Sequence, residues 1–263
     1  MPQILALEDT IRLAVFLGVL AVMALWELAA PNRRAEIPRL LRWSNNLALV
    51  AVDTLALRLV FPLLATGAAL AATSAGFGLF NWVNAPFWLE LLTSVLLLDL
   101  AIWAQHVVFH KIPLLWRLHR MHHADPEMDV TTALRFHPLE IILSMALKIL
   151  LVVLIGAPAL AVLIFEVILN ATALFTHSNV ALPPRLEAIL RRVIVTPEMH
   201  RIHHSERRSE TDSNYGFALS VWDHLFRTHT AEPSGPIRFG IGLYNTPREQ
   251  WLDRLLLQPF RRR

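Results

Sequence analysis

The sequence predicts an all-α integral membrane protein of four to five transmembrane helices, closed on one side by a helical cytoplasmic cap. Two observations carry that reading. Of the 263 residues, 55% are hydrophobic and only 17% charged, and the charged residues gather between long apolar runs. With a mean hydropathy of +0.46 the chain is too apolar for a soluble domain of its length. A third observation bears on chemistry: there are no cysteines and 12 histidines. Disulfides, Cys-ligated zinc and iron–sulfur clusters are thereby excluded, and any metal must be held through nitrogen or oxygen. The pI of about 9.9 accompanies a net charge of only +3. The basicity therefore reads as anchoring at a membrane surface and not as nucleic-acid binding.

The elements follow in order. A membrane-crossing helix needs roughly 20 apolar residues, and Leu13–Ala30 supplies the first. Glu8 and Asp9 stand where a cleavable signal would carry positive charge, so this run reads as a retained span. Leu47–Ala72 is the second, with Asp53 and Arg58 near its start and Pro62 as a kink point. Phe87–Gln105 is the third. Leu139–Phe175 is too long for one crossing, and Gly156-Ala157-Pro158 in its middle reads as a tight turn, which makes a hairpin of two helices. Five passes result, or four if one only dips into the bilayer.

Orientation follows from the arginines. Arg33, Arg34, Arg39 and Arg42 crowd the segment after the first span, whereas Thr73–Pro86 has no charged residue, so the first loop is cytoplasmic and the second external. Counting onward, the chain from Thr176 returns to the cytoplasm, where Arg185, Arg191 and Arg192 agree with it. The stretch from Pro183 to Arg263 is less apolar and carries turn signals such as Glu232-Pro233-Ser234-Gly235-Pro236, and it reads as a cap on the spans. The expected division is 1–86 for the N-terminal spans, 87–230 for the catalytic part and 231–263 for a cytoplasmic tail.

This topology brings every histidine to one face of the membrane. Residues i, i+3 and i+4 share one helix face. His106 and His110 close the third span at i,i+4, while His119, His122, His123 and then His200, His203, His204 repeat the i, i+3, i+4 pattern. The second triplet echoes the first 81 positions later (200 − 119 = 81). Its helix start is written in the sequence: Thr196 as cap, Pro197 at the first helical position and Glu198 at the positive end of the dipole. His177 ends the fifth span at the same face. One tetrahedral site uses about four ligands, so nine imidazoles imply two metals, a histidine-rich di-metal site carried by the cap. Imidazole suits iron, zinc, copper or nickel and argues against calcium and magnesium.

Simpler readings stand beside this one. A lone histidine on an apolar helix, such as His177, is often only a hydrogen-bonded core residue, but three clusters at ligand spacing have no packing explanation. His224 and His229 lack such spacing and read as surface groups or supports. His137 either extends the site or simply precedes a Pro-started helix. Among the carboxylates in or beside spans, Asp53, Asp99 and Glu166, the favoured one is Asp99. It lies seven positions before His106, and the expectation is that it accepts an N–H from a liganding imidazole.

The ordered set His106-x3-His110, His119-x2-His122-His123 and His200-x2-His203-His204 resembles the fatty acid hydroxylase superfamily. That group includes sterol desaturases, C-4 methylsterol oxidases, sphingolipid hydroxylases and alkylglycerol monooxygenase. Supporting segments are Leu115-Trp116-Arg117-Leu118-His119-Arg120, Arg135-Phe136-His137-Pro138, Thr196-Pro197, Asp212-Ser213-Asn214-Tyr215-Gly216 and Trp222-Asp223, and the likeness runs from about Phe87 to Thr230. It departs from some relatives at Ala173 and from many at Val107 and Arg227. The resemblance implies a non-haem centre of two irons, O2 as co-substrate and a lipid C–H bond as target, with an alcohol or an alkene as product. It implies as ligands His106, His110, His119, His122, His123, His177, His200, His203 and His204. Asn214 and Asp223 join Asp99 and His137 as candidates to support those ligands from behind. The chain shows no His-Pro-Gly-Gly segment and no Gly-rich dinucleotide fingerprint. A separate electron donor is therefore expected, cytochrome b5-like or a ferredoxin with its reductase. Two rivals use the same residues. A zinc-dependent membrane hydrolase would need a carboxylate base within the motif, as in His-Glu-x-x-His. A metal transporter or store would place its ligands at mid-membrane.

Overall fold

The structure, a computed structural model, describes residues 2–261. Among these the secondary structure is helical, with two isolated β-bridges and no strand. Five segments are long and apolar enough to cross a membrane, and the chain is an integral membrane protein. We label the helices α1 (Glu8–Ala29), α2 (Arg39–Val60), α3 (Ala65–Ser74), α4 (Phe87–Lys111), α5 (Pro113–His123), α6 (Pro138–Ile155), α7 (Ala159–His177), α8 (Pro184–Leu190), α9 (Pro197–His203), α10 (Val221–Leu225) and α11 (Leu252–Leu257). Helix α7 is central, packing against α1, α3, α4 and α9. Outward-facing leucines such as Leu25 and Leu59 stay exposed because hydrocarbon, not water, is their solvent.

The second predicted span differs from expectation. Its helix begins at Arg39, ahead of Leu47, while the break between α2 and α3 falls around Pro62, the expected kink point. The early start has a physical reason. Arg42, Asn46 and Asp53 are buried, and the first two face protein groups: Asn46 donates to Thr131 Oγ1 at 3.0 Å, and Arg42 enters an ion cluster. The first turns of α2 thus belong to the cap. Arg42, counted from sequence among the loop charges, is not a surface charge at all. Its guanidinium grips both oxygens of Asp125 (3.0 and 2.9 Å) and one of Asp129 (2.6 Å), a bidentate geometry that lets a charge be buried.

The hairpin turn lies where the sequence puts it. Gly156 ends α6 at φ 65°, and Gly78 at φ 107° lies against it. A Cβ on Gly78 would stand 2.4 Å from the Gly156 nitrogen. Backbone meets backbone here, at the end of the bundle opposite the histidines. Midway, Glu166 accepts from Lys148 at 2.6 Å and pairs with Arg12, which also donates to Thr66 at 2.7 Å. Glu166 is therefore neutralised within the bundle and joins α1, α3, α6 and α7. The cap closes the other end. Leu255 of α11 packs with Leu49 and Met121, and Leu252 N donates to Asn45 at 2.7 Å. Arg262 and Arg263, the end of the predicted tail, lie outside the described residues.

Candidate metal centre

Four helix segments deliver the histidines. The last turns of α4 carry His106 and His110. Ile112 then turns the chain, and Pro113 opens α5, whose final turns present His119, His122 and His123. Helix α7 stops at His177. Helix α9 starts as its sequence indicates: Thr196 caps it, accepting from Met199 N, and Pro197 takes the first position, which sets His200, His203 and His204 on its short run. All nine imidazoles are buried.

They fall into two groups in which every ligand atom lies within 4.8 Å of the others: His106, His110, His119, His123 and His203 in one, and His122, His177, His200 and His204 in the other. His123 of the first stacks on His204 of the second with ring centroids 4.4 Å apart, so the groups share a wall. The hydrogen bonding shows which nitrogen of each ring faces its neighbours. His106 Nδ1 faces the Tyr215 carbonyl at 2.8 Å, His203 Nδ1 the Ser213 carbonyl at 2.7 Å and His119 Nδ1 the Glu140 carboxylate at 2.7 Å. A carbonyl only accepts, so Nδ1 of His106 and His203 must carry the proton, and an ionised Glu140 requires the same of His119, which leaves Nε2 as a lone pair. Yet the Nε2 atoms converge, His106 on His119 at 3.0 Å and on His203 at 3.1 Å. In the second group His177, with Nδ1 on the Ala173 carbonyl at 2.8 Å, turns Nε2 toward His200 at 3.0 Å and His122 at 3.1 Å. Lone pairs cannot satisfy one another. A cation between them can, and neutral imidazole is the form that binds it.

Electrostatics favours that form. Burial pushes the imidazoles of His122, His123, His200, His203 and His204 well below the usual histidine range and brings His119 to about 3. Both ring nitrogens of His123 and His204, and Nε2 of His110, are buried without a hydrogen-bond partner, while His110 Nδ1 lies 3.5 Å from the Asp212 carboxylate. Such orphans are costly unless a ligand completes them. The floor of the site is apolar: Phe136 stacks on His122 at 4.5 Å, and Phe217 stands 4.9 Å from His106 while packing on the membrane core.

The residues expected to support the ligands divide. Asp99 is corrected: it accepts from Trp222 Nε1 at 2.8 Å and makes no contact with a liganding imidazole among the described hydrogen bonds. The reason is length, since seven residues of helix rise about 10 Å, more than a short carboxylate can span. Asp223 instead bonds the backbone, accepting from Tyr215 N at 2.9 Å and Gly216 N at 2.7 Å, beside the Tyr215 carbonyl that faces His106. Asn214, at φ 51°, donates to the Met199 and Thr230 carbonyls at 3.1 and 2.9 Å and ties the loop to α9. His137 takes the simpler of its two readings, accepting from Leu139 N as the cap of α6. His229 reaches Asn214 Oδ1 at 3.1 Å and lies against His224 with ring centroids 4.2 Å apart, away from both groups.

Glu140 was not singled out by spacing. The available signal was an ionisable residue in the first turn of an apolar helix, which is rarely without purpose. The carbonyls of Tyr215, Ser213 and Ala173 had no signal, because any residue type supplies them.

A family model described as fatty acid hydroxylase matches residues 91–228. The chain is 27% identical over 257 residues to the ornithine lipid hydroxylase OlsE of Rhizobium tropici, covering 95% of this chain and 75% of that protein. It is 31% identical over 158 residues to the alkylglycerol monooxygenase of Homo sapiens, and 30% over 162 residues to that of Danio rerio. Those matches take in 59% and 62% of this chain but only 34% and 35% of the two relatives, about a third of their length. No solved structure matches the chain.

Proposed function

The chain belongs to the fatty acid hydroxylase family, and from that premise we propose that it is an O2-dependent lipid hydroxylase whose nine clustered histidines hold two non-haem irons. The observation that carries the proposal is the convergence of Nε2 lone pairs in two adjoining groups at one end of five apolar helices. Iron bound there supplies the O2 activation that breaking an unactivated C–H bond requires and that redox-inert zinc does not. The names of the relatives, a lipid hydroxylase and a monooxygenase, favour an alcohol over an alkene as product.

The protein's own part is to hold, orient and keep dry. The Tyr215 and Ser213 carbonyls and Glu140 fix three tautomers in the first group, and the Ala173 carbonyl fixes His177 in the second. Phe136 stacks on His122, and Phe217, beside His106, packs on the membrane core, which offers a hydrocarbon chain an apolar approach on the Phe217 side. One oxygen atom of O2 enters the product and the other leaves as water, which consumes two electrons and two protons. The electrons are assigned to a separate donor, cytochrome b5-like or a ferredoxin with its reductase. Arg33, Arg34 and Arg39 beside the uncharged 73–86 stretch support a cytoplasmic position for the histidines. A zinc hydrolase is disfavoured because neither histidine group includes a carboxylate, Glu140 being turned to the far nitrogen of His119.

The test is oxygen incorporation. Iron-loaded protein with a reduced donor and a bacterial lipid extract is expected to transfer isotopically labelled oxygen from O2 into a lipid alcohol. Label found only when supplied as water, or turnover undiminished with zinc in place of iron, would contradict the proposal.

A further inference from the structure

The two histidine groups differ in what stands behind them. In the five-histidine group three imidazoles have an oxygen acceptor hydrogen-bonded to Nδ1: a carbonyl for His106, a carbonyl for His203 and a carboxylate for His119; His110 Nδ1 faces the Asp212 carboxylate at a longer 3.5 Å. In the four-histidine group His177 has the Ala173 carbonyl, while Nδ1 of His122, His200 and His204 has no protein partner. A carboxylate acceptor both fixes an imidazole's orientation and raises its strength as a donor to a metal, more than a neutral carbonyl does. Glu140 is placed to do this by its own helix. His137 caps α6 and Pro138 opens it, so Glu140 sits in the first turn, where the positive end of the helix dipole favours a carboxylate. It is buried, and its second oxygen has no protein partner, so the bond to His119 is its one hydrogen bond among the described residues.

We propose that Glu140 is a positioning residue that acts through His119 and makes the five-histidine site the tighter of the two metal sites. The inference rests on the two-iron reading above. It assigns the sites different affinities and different electronic character, although the sequence presents their histidines as near-repeats.

The test uses the full chain in detergent, loaded with ferrous iron and titrated with a chelator. The wild-type protein is expected to release iron in two steps. In Glu140→Gln, which keeps the shape of the side chain, the tighter step should weaken by about 10–100-fold. The weaker step should stay in place, and one of two iron environments should shift in the Mössbauer spectrum. In a His119→Ala background the Glu140→Gln change should have no further effect on iron release, because the path through His119 is already gone. Two steps unchanged in Glu140→Gln would overturn the role of Glu140 and leave the two-iron reading standing. Equal weakening of both steps would overturn it too, since that marks general damage. A wild-type protein holding fewer than two irons would defeat the two-iron reading itself, and the present inference with it.

Discussion

The two ends of the helix bundle are closed by opposite means. At the end away from the histidines, Gly78 and Gly156 bring backbone against backbone, and the contact is steric. At the histidine end, Arg42, Asp125, Asp129, Arg135, Glu140 and nine imidazoles are buried, and the contact is polar. Burial alone would raise the Asp125 carboxyl, but the guanidiniums of Arg42 and Arg135 overcome it and hold it well below the usual range. Glu27 at the end of α1 accepts from Val130 N at 2.7 Å and Asn179 N at 2.5 Å. The first helix thus holds the segment that follows His177. Desolvated polar groups are costly unless each is paired, and the molecule concentrates them around the site that needs fixed geometry.

That contrast can be broken from either side. The largest expected effect is on function: His203→Ala removes a ligand of the five-histidine group, and lipid oxidation at equal membrane abundance should fall by more than about 100-fold with loss of bound iron. Retained activity would contradict the assignment. Next is Arg42→Met, which strands Asp125 and Asp129 in the interior. Unfolding in detergent should show a loss of about 3–5 kcal/mol, with iron content falling as the cap loosens. Gly78→Ala attacks the other end, where the positive φ and the close approach to Gly156 should cost about 1–3 kcal/mol without changing iron bound per folded molecule. If iron is lost there as readily as in Arg42→Met, the two ends are not distinct.

Acid sharpens the comparison further. The folded protein keeps His119 neutral down to about 3, whereas the unfolded chain takes up a proton near 6.5. Below that value protons favour the unfolded state. The stability of metal-free protein should therefore be full above about pH 7 and fall as pH drops through 6.5. The slope is about 1.4 kcal/mol per pH unit for each histidine kept neutral by the fold. A flat profile between pH 7 and 5 would mean that the imidazoles are not desolvated. The smallest effect belongs to His229→Ala. It loses a contact with Asn214 outside both groups, and should change stability by no more than about 1 kcal/mol with iron content unchanged.

Much of this was legible in the sequence because local spacing encodes it. The i, i+3, i+4 histidines on α5 and α9, the cap and proline that start α9, and the glycine that divides α6 from α7 are properties of a few adjacent residues. What was not legible is the pairing of distant ones. Asp99 shares a helix with His106 yet meets Trp222, 123 positions away. Glu140 finds His119 across a change of helix, and Arg42 looked like a loop charge until the cap folded over it. Hydropathy marks residues that avoid water, but it does not separate lipid from protein as their surroundings. The extension of α2 back to Arg39, into the cap, was not legible for that reason.

The central claim is that nine imidazoles make two sites for iron, and iron counting tests it most directly. Protein purified without O2 and analysed for metal should contain two irons per chain, with His122→Ala and His203→Ala each losing one, from different groups. A count near one in the unaltered protein, or iron unchanged in both variants, would contradict the account.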